Sequence, residues 1–236
     1  AESWPSSSAP LPELLDADAD DAAELPRVPV RAAGDAEPLV AVSGDRLAVI
    51  AVYRQSGFPH AVSGAWLRAR VLERLRRAAA ALPDGFGLVV CDGWREPQLQ
   101  PFLYDRAYAH PGLPPGFVAP PSADPACPPP HSTGGTVDLT PSYQGRALAL
   151  GTDFDEFTVR AFASALELDA EDLTADDVIA RDLRRLLYAA MAGAGFVVLA
   201  REWWHFEYGT RLWAAVTGGE PLFHGARRPT GALGDE

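Results

Sequence analysis

Two short stretches of this chain carry residues that could hold a metal ion. In "HSTGGTVDLT" a histidine, His131, precedes an aspartate, Asp138, by seven positions, with two glycines between them. In "EWWHF" a glutamate, Glu202, precedes a histidine, His205, by three. Catalytic zinc typically takes three protein ligands from His, Asp and Glu and keeps one position open for water. His131, Asp138 and His205 meet that count, and Glu202 is then a nearby carboxylate with no ligand duty. A carboxylate so placed suits hydrolysis, first as general base and then as general acid toward the leaving group. Each spacing alone is a weak signal, and a salt-bridged loop aspartate with a core histidine explains it equally well. Two histidines and one carboxylate also form the facial ligand set of non-haem Fe(II) oxygenases. On the residues alone, one Zn²⁺ per chain, Fe²⁺ as the alternative and a catalytically silent metal-binding domain all stay open. Against the silent reading, closed structural zinc sites favour four protein ligands, commonly with Cys, and the sequence shows three.

Two further residues have the chemistry to serve such a site. Arg95, in "CDGWREPQLQ", carries a guanidinium that could stabilise charge on a carbonyl oxygen. Its plainer reading is a surface turn residue paired with Asp92 or Glu96. Asp155, in "GTDFDEF", could hold a substrate ammonium, or be one more solvated acid. Trp203, Trp204, Phe206 and Tyr208 read first as sheet packing; the functional alternative is a wall for a small apolar pocket that takes methyl side chains. His60, His110 and His224 stay unassigned.

The elements that must position these residues follow from periodicity and breakers. "RLAVIAVY", residues 46 to 53, is a strand candidate, and residues 65–82 read as one amphipathic helix with Trp66, Leu67, Val71, Leu72, Leu75, Ala79 and Leu82 on one face. "FGLVVCDGW" is a buried strand running into a turn, and "REPQLQPFLYDRAYA" a helix with Pro97 in its first turn. Nine prolines between 111 and 130 predict a long loop leading to His131. "GTVDLTP" is a short strand. "LTADDVIARDLRRLLYAAMAGAG" is a helix capped by Thr174, with an apolar stripe of Val178, Ile179, Leu183, Leu186 and Leu187. "FVVLA" and "REWWHFEYG" form a hairpin. Strands and helices mix without a βαβ rhythm, which predicts an α+β domain over 39–236. Residues 1–38, rich in Ala, Pro, Ser and Asp, predict an irregular or partly disordered acidic arm.

Composition narrows the class. With 236 residues and 47% hydrophobic residues the chain can bury one sizeable core. A net charge of −12 argues against nucleic-acid and anionic-membrane partners, which need a basic face. Cys91 and Cys127 make no disulfide framework, and neither a secretory signal nor an apolar run of about 18 residues is present, so a cytoplasmic location is expected.

"HSTGGTVDLT" together with "EWWHF" closely resembles the signature pair of the D-alanyl-D-alanine dipeptidases of the VanX type, within peptidase family M15. The resemblance extends to "CDGWREPQLQ" and "GTDFDEF" and covers roughly residues 50 to 212. It implies a zinc metallopeptidase in which His131, Asp138 and His205 bind the metal, Glu202 is the base, Arg95 steadies the oxyanion and Asp155 binds the free amino terminus. It further implies a small central antiparallel sheet flanked by helices, of the Hedgehog/DD-peptidase kind, and a small peptide of the cell-wall type as substrate. The chain departs from the family pattern at Pro129, where Ser is frequent, at Thr136, where Ala is usual, and at Glu96, which displaces the usual proline to Pro97.

Overall fold

The computed structural model describes residues 9–16, 24–109, 113 and 117–232. His110, most of the charged stretch near residue 20 and part of the proline-rich loop lie outside the described residues. In chain order the elements are β1 (Leu39–Ala41), β2 (Leu47–Val49), α1 (Val52–Gln55), β3 (Trp66–Arg68), α2 (Ala69–Ala81), β4 (Phe86–Asp92) and α3 (Gln100–Tyr108). Then follow β5 (Thr136–Tyr143), β6 (Arg146–Ala147), α4 (Ala175–Gly193), β7 (Val197–Val198), β8 (His205–Glu207) and α5 (Arg211–Thr217). The main sheet has the order β2-β4-β5-β8-β7, with β6 on β5; only the edge pair β2–β4 is parallel. The α+β class with a small, chiefly antiparallel sheet and flanking helices is what the sequence predicts.

One face of this sheet is core and the other carries the chemistry, because side chains alternate along a strand. Leu88 and Val90 of β4, Val137 and Leu139 of β5 and Phe206 of β8 pack with Val71, Leu72 and Leu75 of α2 and Leu183, Leu187 and Met191 of α4. The intervening residues, Thr136 and Asp138 on β5 and His205 and Glu207 on β8, therefore share the opposite face. Register pairs Asp138 with His205 and Thr136 with Glu207. On β4 the ladder shifts between Val90 and Asp92, so that Asp92 rather than Cys91 lies opposite Asp138. A bulge of this kind sets two residues against one and re-aims the side chains around it.

Several boundaries differ from the sequence reading. The segment predicted as one helix over 65–82 starts as a strand, because Trp66–Arg68 pairs antiparallel with Leu39–Ala41; α2 begins at Ala69. The strand from residue 46 ends at Val49, and Val52–Gln55 turns helical. Pro101, not Pro97, occupies the first turn of α3, where a missing N–H costs no intrahelical bond. Helix α4 has the predicted start: Thr174 and Asp177 form a reciprocal capping box. Its buried face is rotated from the predicted stripe, with Ala180, Arg184, Ala190 and Met191 inward and Ile179 at 38% exposure.

Buried arginines tie irregular segments to this frame. Arg68 donates to the carbonyls of Thr133, Asp35, Glu37 and His224. Through it the chain before β1 and the C-terminal segment are held beside the turn that carries His131. Cys91 and Cys127 are both free thiols. Among the described residues no helix is long and apolar enough to cross a membrane.

Candidate metal centre

His131, Asp138 and His205 come from three separate pieces of chain and converge. His131 sits on a single 3₁₀ turn, Pro130–Thr133, that Gly134 closes in the left-handed conformation at φ 73°. That φ favours glycine, and a side chain at Gly135 would sit 2.6 Å from the Tyr208 carbonyl. The glycine pair thus lets the chain leave the turn and enter β5 in time to bring Asp138 beneath His131. His205 faces Asp138 from β8 by direct register.

One donor atom from each of the three lies within 4.8 Å of the others, and all three residues are buried. His131 Nε2 is 3.2 Å from Asp138 Oδ2, and His205 Nδ1 is 3.0 Å from Asp138 Oδ1. The remaining ring nitrogens are engaged outward: His131 Nδ1–H donates to the Gly93 carbonyl at 2.8 Å, and His205 Nε2–H donates to Glu207 at 2.9 Å. Such outer bonds select the tautomer that leaves the inner nitrogen's lone pair for a metal. Asp138 Oδ1 makes no hydrogen bond of proper geometry despite its burial. A buried carboxylate with no well-aligned donor on Oδ1, and with an imidazole nitrogen close to each of its two oxygens, fits a cation.

The other expected residues surround this cluster. Glu202 lies in the turn before β8, 3.4 Å from His205 Nδ1 and 6% exposed. Burial raises its carboxyl to about 8, His205 opposing and the charges of Asp138 and Asp155 adding to the rise. Arg95 is buried, not a surface turn residue; it donates to Asp92 and to Gln100, and its Nη2 is 3.8 Å from Asp138 Oδ2. Glu96, its alternative partner, pairs with Arg228 instead. Burial disfavours the guanidinium charge, but Tyr53, Asp92, Asp138 and Asp155 together hold it firmly protonated. Asp155 has a left-handed backbone, φ 60°, and accepts a hydrogen bond from the Tyr53 hydroxyl at 2.8 Å. Desolvation, then the charge of Asp138, push its carboxyl up to about 7. Tyr53 in turn accepts from Arg95 at 3.2 Å, so a relay of Asp155, Tyr53 and Arg95 reaches the cluster.

Sequence reasoning missed four participants. Glu207 stands two residues past His205 on a strand, hence on the same face, and period-two alternation in "HFE" was a usable signal. Tyr53, Gln100 and the Gly93 carbonyl carried none, since their roles depend on long-range packing. All four aromatics of the hairpin are buried in the core. A cavity of about 920 Å³ spans the cluster, Glu202, Arg95 and Asp155, far larger than a pocket for methyl groups alone. His224 lies away from the cluster, its two ring nitrogens on the Pro125 and Pro29 carbonyls.

Comparison with known proteins agrees with this geometry. Residues 67–217 match the peptidase M15 family, described as D-Ala-D-Ala dipeptidase. The chain is 30% identical over 175 residues to a D-alanyl-D-alanine dipeptidase of Synechocystis, a match that covers 63% of this chain and 71% of that protein. It is 35% identical over 136 residues to a D-alanyl-D-alanine dipeptidase of Escherichia coli, covering 52% of this chain and 56% of the relative.

Proposed function

The chain belongs to peptidase family M15, the D-Ala-D-Ala dipeptidases, and from that premise we propose that it is a zinc-dependent dipeptidase that hydrolyses D-Ala-D-Ala or a similar short peptide. The observation that carries the reading is the convergence of three buried donors within 4.8 Å, with a second carboxylate, Glu202, alongside and free of ligand duty. His131, Asp138 and His205 would hold the ion. When bound, it supplies Lewis acidity, polarising the scissile carbonyl and acidifying water.

The protein's own groups do the rest. Glu202 takes a proton from the attacking water as the oxygen bonds to the carbonyl carbon. It then returns that proton to the peptide nitrogen as the C–N bond breaks, leaving a free amine and a carboxylate. Arg95, held by Asp92 and Gln100, presents its guanidinium where the carbonyl oxygen gains charge. Asp155 binds the substrate's ammonium and sets its distance from the cluster, which limits the enzyme to short peptides with a free amino end. Residues 39–236 constitute the catalytic domain and residues 1–38 an arm. The two free cysteines suit a reducing, cytoplasmic setting. The oxygenase reading of the same ligand set lacks any comparable observation, since it gives Glu202 no task.

The test pairs metal analysis with amino-acid release from D-Ala-D-Ala and from L-Ala-L-Ala. About one zinc per chain with D,D-selective release is expected. Glu202→Ala should keep the metal and lose at least about a hundredfold in kcat, the lower range for a general base. Full activity in Glu202→Ala with metal bound would refute the assigned role.

A further inference from the structure

The cavity is much too large for a substrate whose side chains are two methyl groups. About 920 Å³ lies near the upper end of what pockets for drug-sized ligands enclose. Its shape is not uniform in character. One part is lined by polar groups such as Arg27, Ser122 and Asp124. Another is apolar, lined by Leu103 and Ala107 of α3, Phe117 and Val118 of the proline-rich loop, and Phe154 and Phe157.

This apolar wall is continuous with the ammonium anchor. Phe154 and Phe157 flank Asp155 in the same turn. Phe154 packs on Tyr53, ring centroids 6.0 Å apart, and Leu103 shares that small cluster. Phe157 meets Phe117 at 6.0 Å, within a second buried cluster that contains Ala107 and Val118. The wall is also built rather than loosely apposed. Gln100 donates from Nε2 to the Ala119 carbonyl at 2.6 Å, the Val118 N–H donates to the Tyr108 hydroxyl, and Gln100 itself accepts from Arg95. The loop that forms half of the wall is therefore fastened to the arginine beside the metal cluster.

The first side-chain atom of the residue that carries the ammonium is two bonds from the nitrogen Asp155 would bind, and so the side chain projects against this wall. We propose that the substrate's N-terminal residue is large and apolar, of leucine to phenylalanine size; this rests on the dipeptidase reading and narrows its substrate class. A methyl group there would leave the cavity-facing part of the apolar wall in contact with water, whereas a larger side chain covers it.

The experiment compares kcat/KM for D-Ala-D-Ala, D-Leu-D-Ala, D-Phe-D-Ala and D-Ala-D-Phe, each beside its L,L counterpart, on the zinc-loaded full chain. One methylene in an apolar pocket is worth roughly tenfold or more in discrimination. D-Leu-D-Ala or D-Phe-D-Ala should therefore exceed D-Ala-D-Ala by at least about tenfold, with no such gain for D-Ala-D-Phe. Filling the wall with Ala107→Leu should lower the ratio of D-Phe-D-Ala to D-Ala-D-Ala. Equal or better hydrolysis of D-Ala-D-Ala overturns the proposal and leaves the dipeptidase reading standing. If no dipeptide is hydrolysed, the dipeptidase reading falls, and calorimetric binding of the same peptides decides the pocket: about tenfold tighter binding of D-Phe-D-Ala supports it and equal binding overturns it.

Discussion

Glu207 offers the sharpest perturbation of the site without touching a donor atom. Its carboxylate accepts the Nε2–H of His205 at 2.9 Å and is 2% exposed. Glu207→Gln keeps the side-chain length and an oxygen that can still accept this proton, but removes the charge that makes the imidazole a better donor to a cation. Substitutions of such outer partners typically cost about 10- to 100-fold in metal affinity. At about 1.4 kcal/mol per tenfold, that is about 1.4 to 2.8 kcal/mol. Glu207→Ala adds loss of ring orientation, so its effect should be at least as large. The assay is zinc affinity by competition with a chromophoric chelator, with the thermal midpoint of the metal-free form as the folding control. Zinc affinity within twofold of the parent in both variants, with folding intact, would refute the argument that Glu207 poises His205.

Two other perturbations probe how the substrate side is held. Arg184 on α4 donates to the carbonyls of Leu150, Arg160 and Phe162, spanning the segment that carries Asp155. Arg184→Leu strands three carbonyls at about 1 kcal/mol or more each, so stability should fall by about 3 kcal/mol, and KM should rise more than kcat falls. Unchanged denaturation would contradict it. Asp155 must be ionised to hold an ammonium, and desolvation raises its carboxyl to about 7; KM should therefore fall as pH rises through about 7. Asp155→Asn should abolish that limb of the KM profile, and a retained limb would mean that another group titrates there.

The candidate ligand residues were legible because their motifs are local, whereas what poises them is not. "HSTGGTVD" states a turn, two glycines and a strand in one run, and β5 supplies the register that makes Asp138 face His205. Asp92 is different. Its place opposite Asp138 depends on a bulge at Cys91 that no pattern in "FGLVVCDGW" announces. Arg95 reads as a surface turn residue in isolation, and only packing by Tyr53, Gln100 and Asp92 buries it. The same limit explains the misplaced helix start near Ala69: Trp66 and Leu67 fit the helical stripe, but pairing with Leu39–Ala41 claimed them for a strand.

The balance of charge at the site leads to a last prediction. Asp92, Asp138, Asp155, Glu202 and Glu207 surround it, against Arg95 and two imidazoles. Without a metal, this excess of buried carboxylate is relieved by holding protons. Burial, with Asp138 and Asp155 adding, raises Glu202 to about 8, and desolvation raises Asp155 to about 7. Burial opposes the His205 charge, but Asp138 and Glu207 hold it well above the ordinary imidazole value. Each of these folded-state values lies above the unfolded one, so the native metal-free protein binds more protons than the unfolded chain as pH climbs from about 4 to 8. Their contribution to stability is present at low pH and is lost as pH rises across that range. A divalent cation supplies the missing positive charge, so its binding must expel protons. Calorimetric titration of zinc at pH 6.5, in buffers of different ionisation enthalpy, should show net release of at least about one proton per ion. The metal-induced gain in thermal midpoint should grow from pH 6 to 8. Zinc binding with no proton release at pH 6.5 would mean that these carboxyls and His205 do not carry the protons assigned to them.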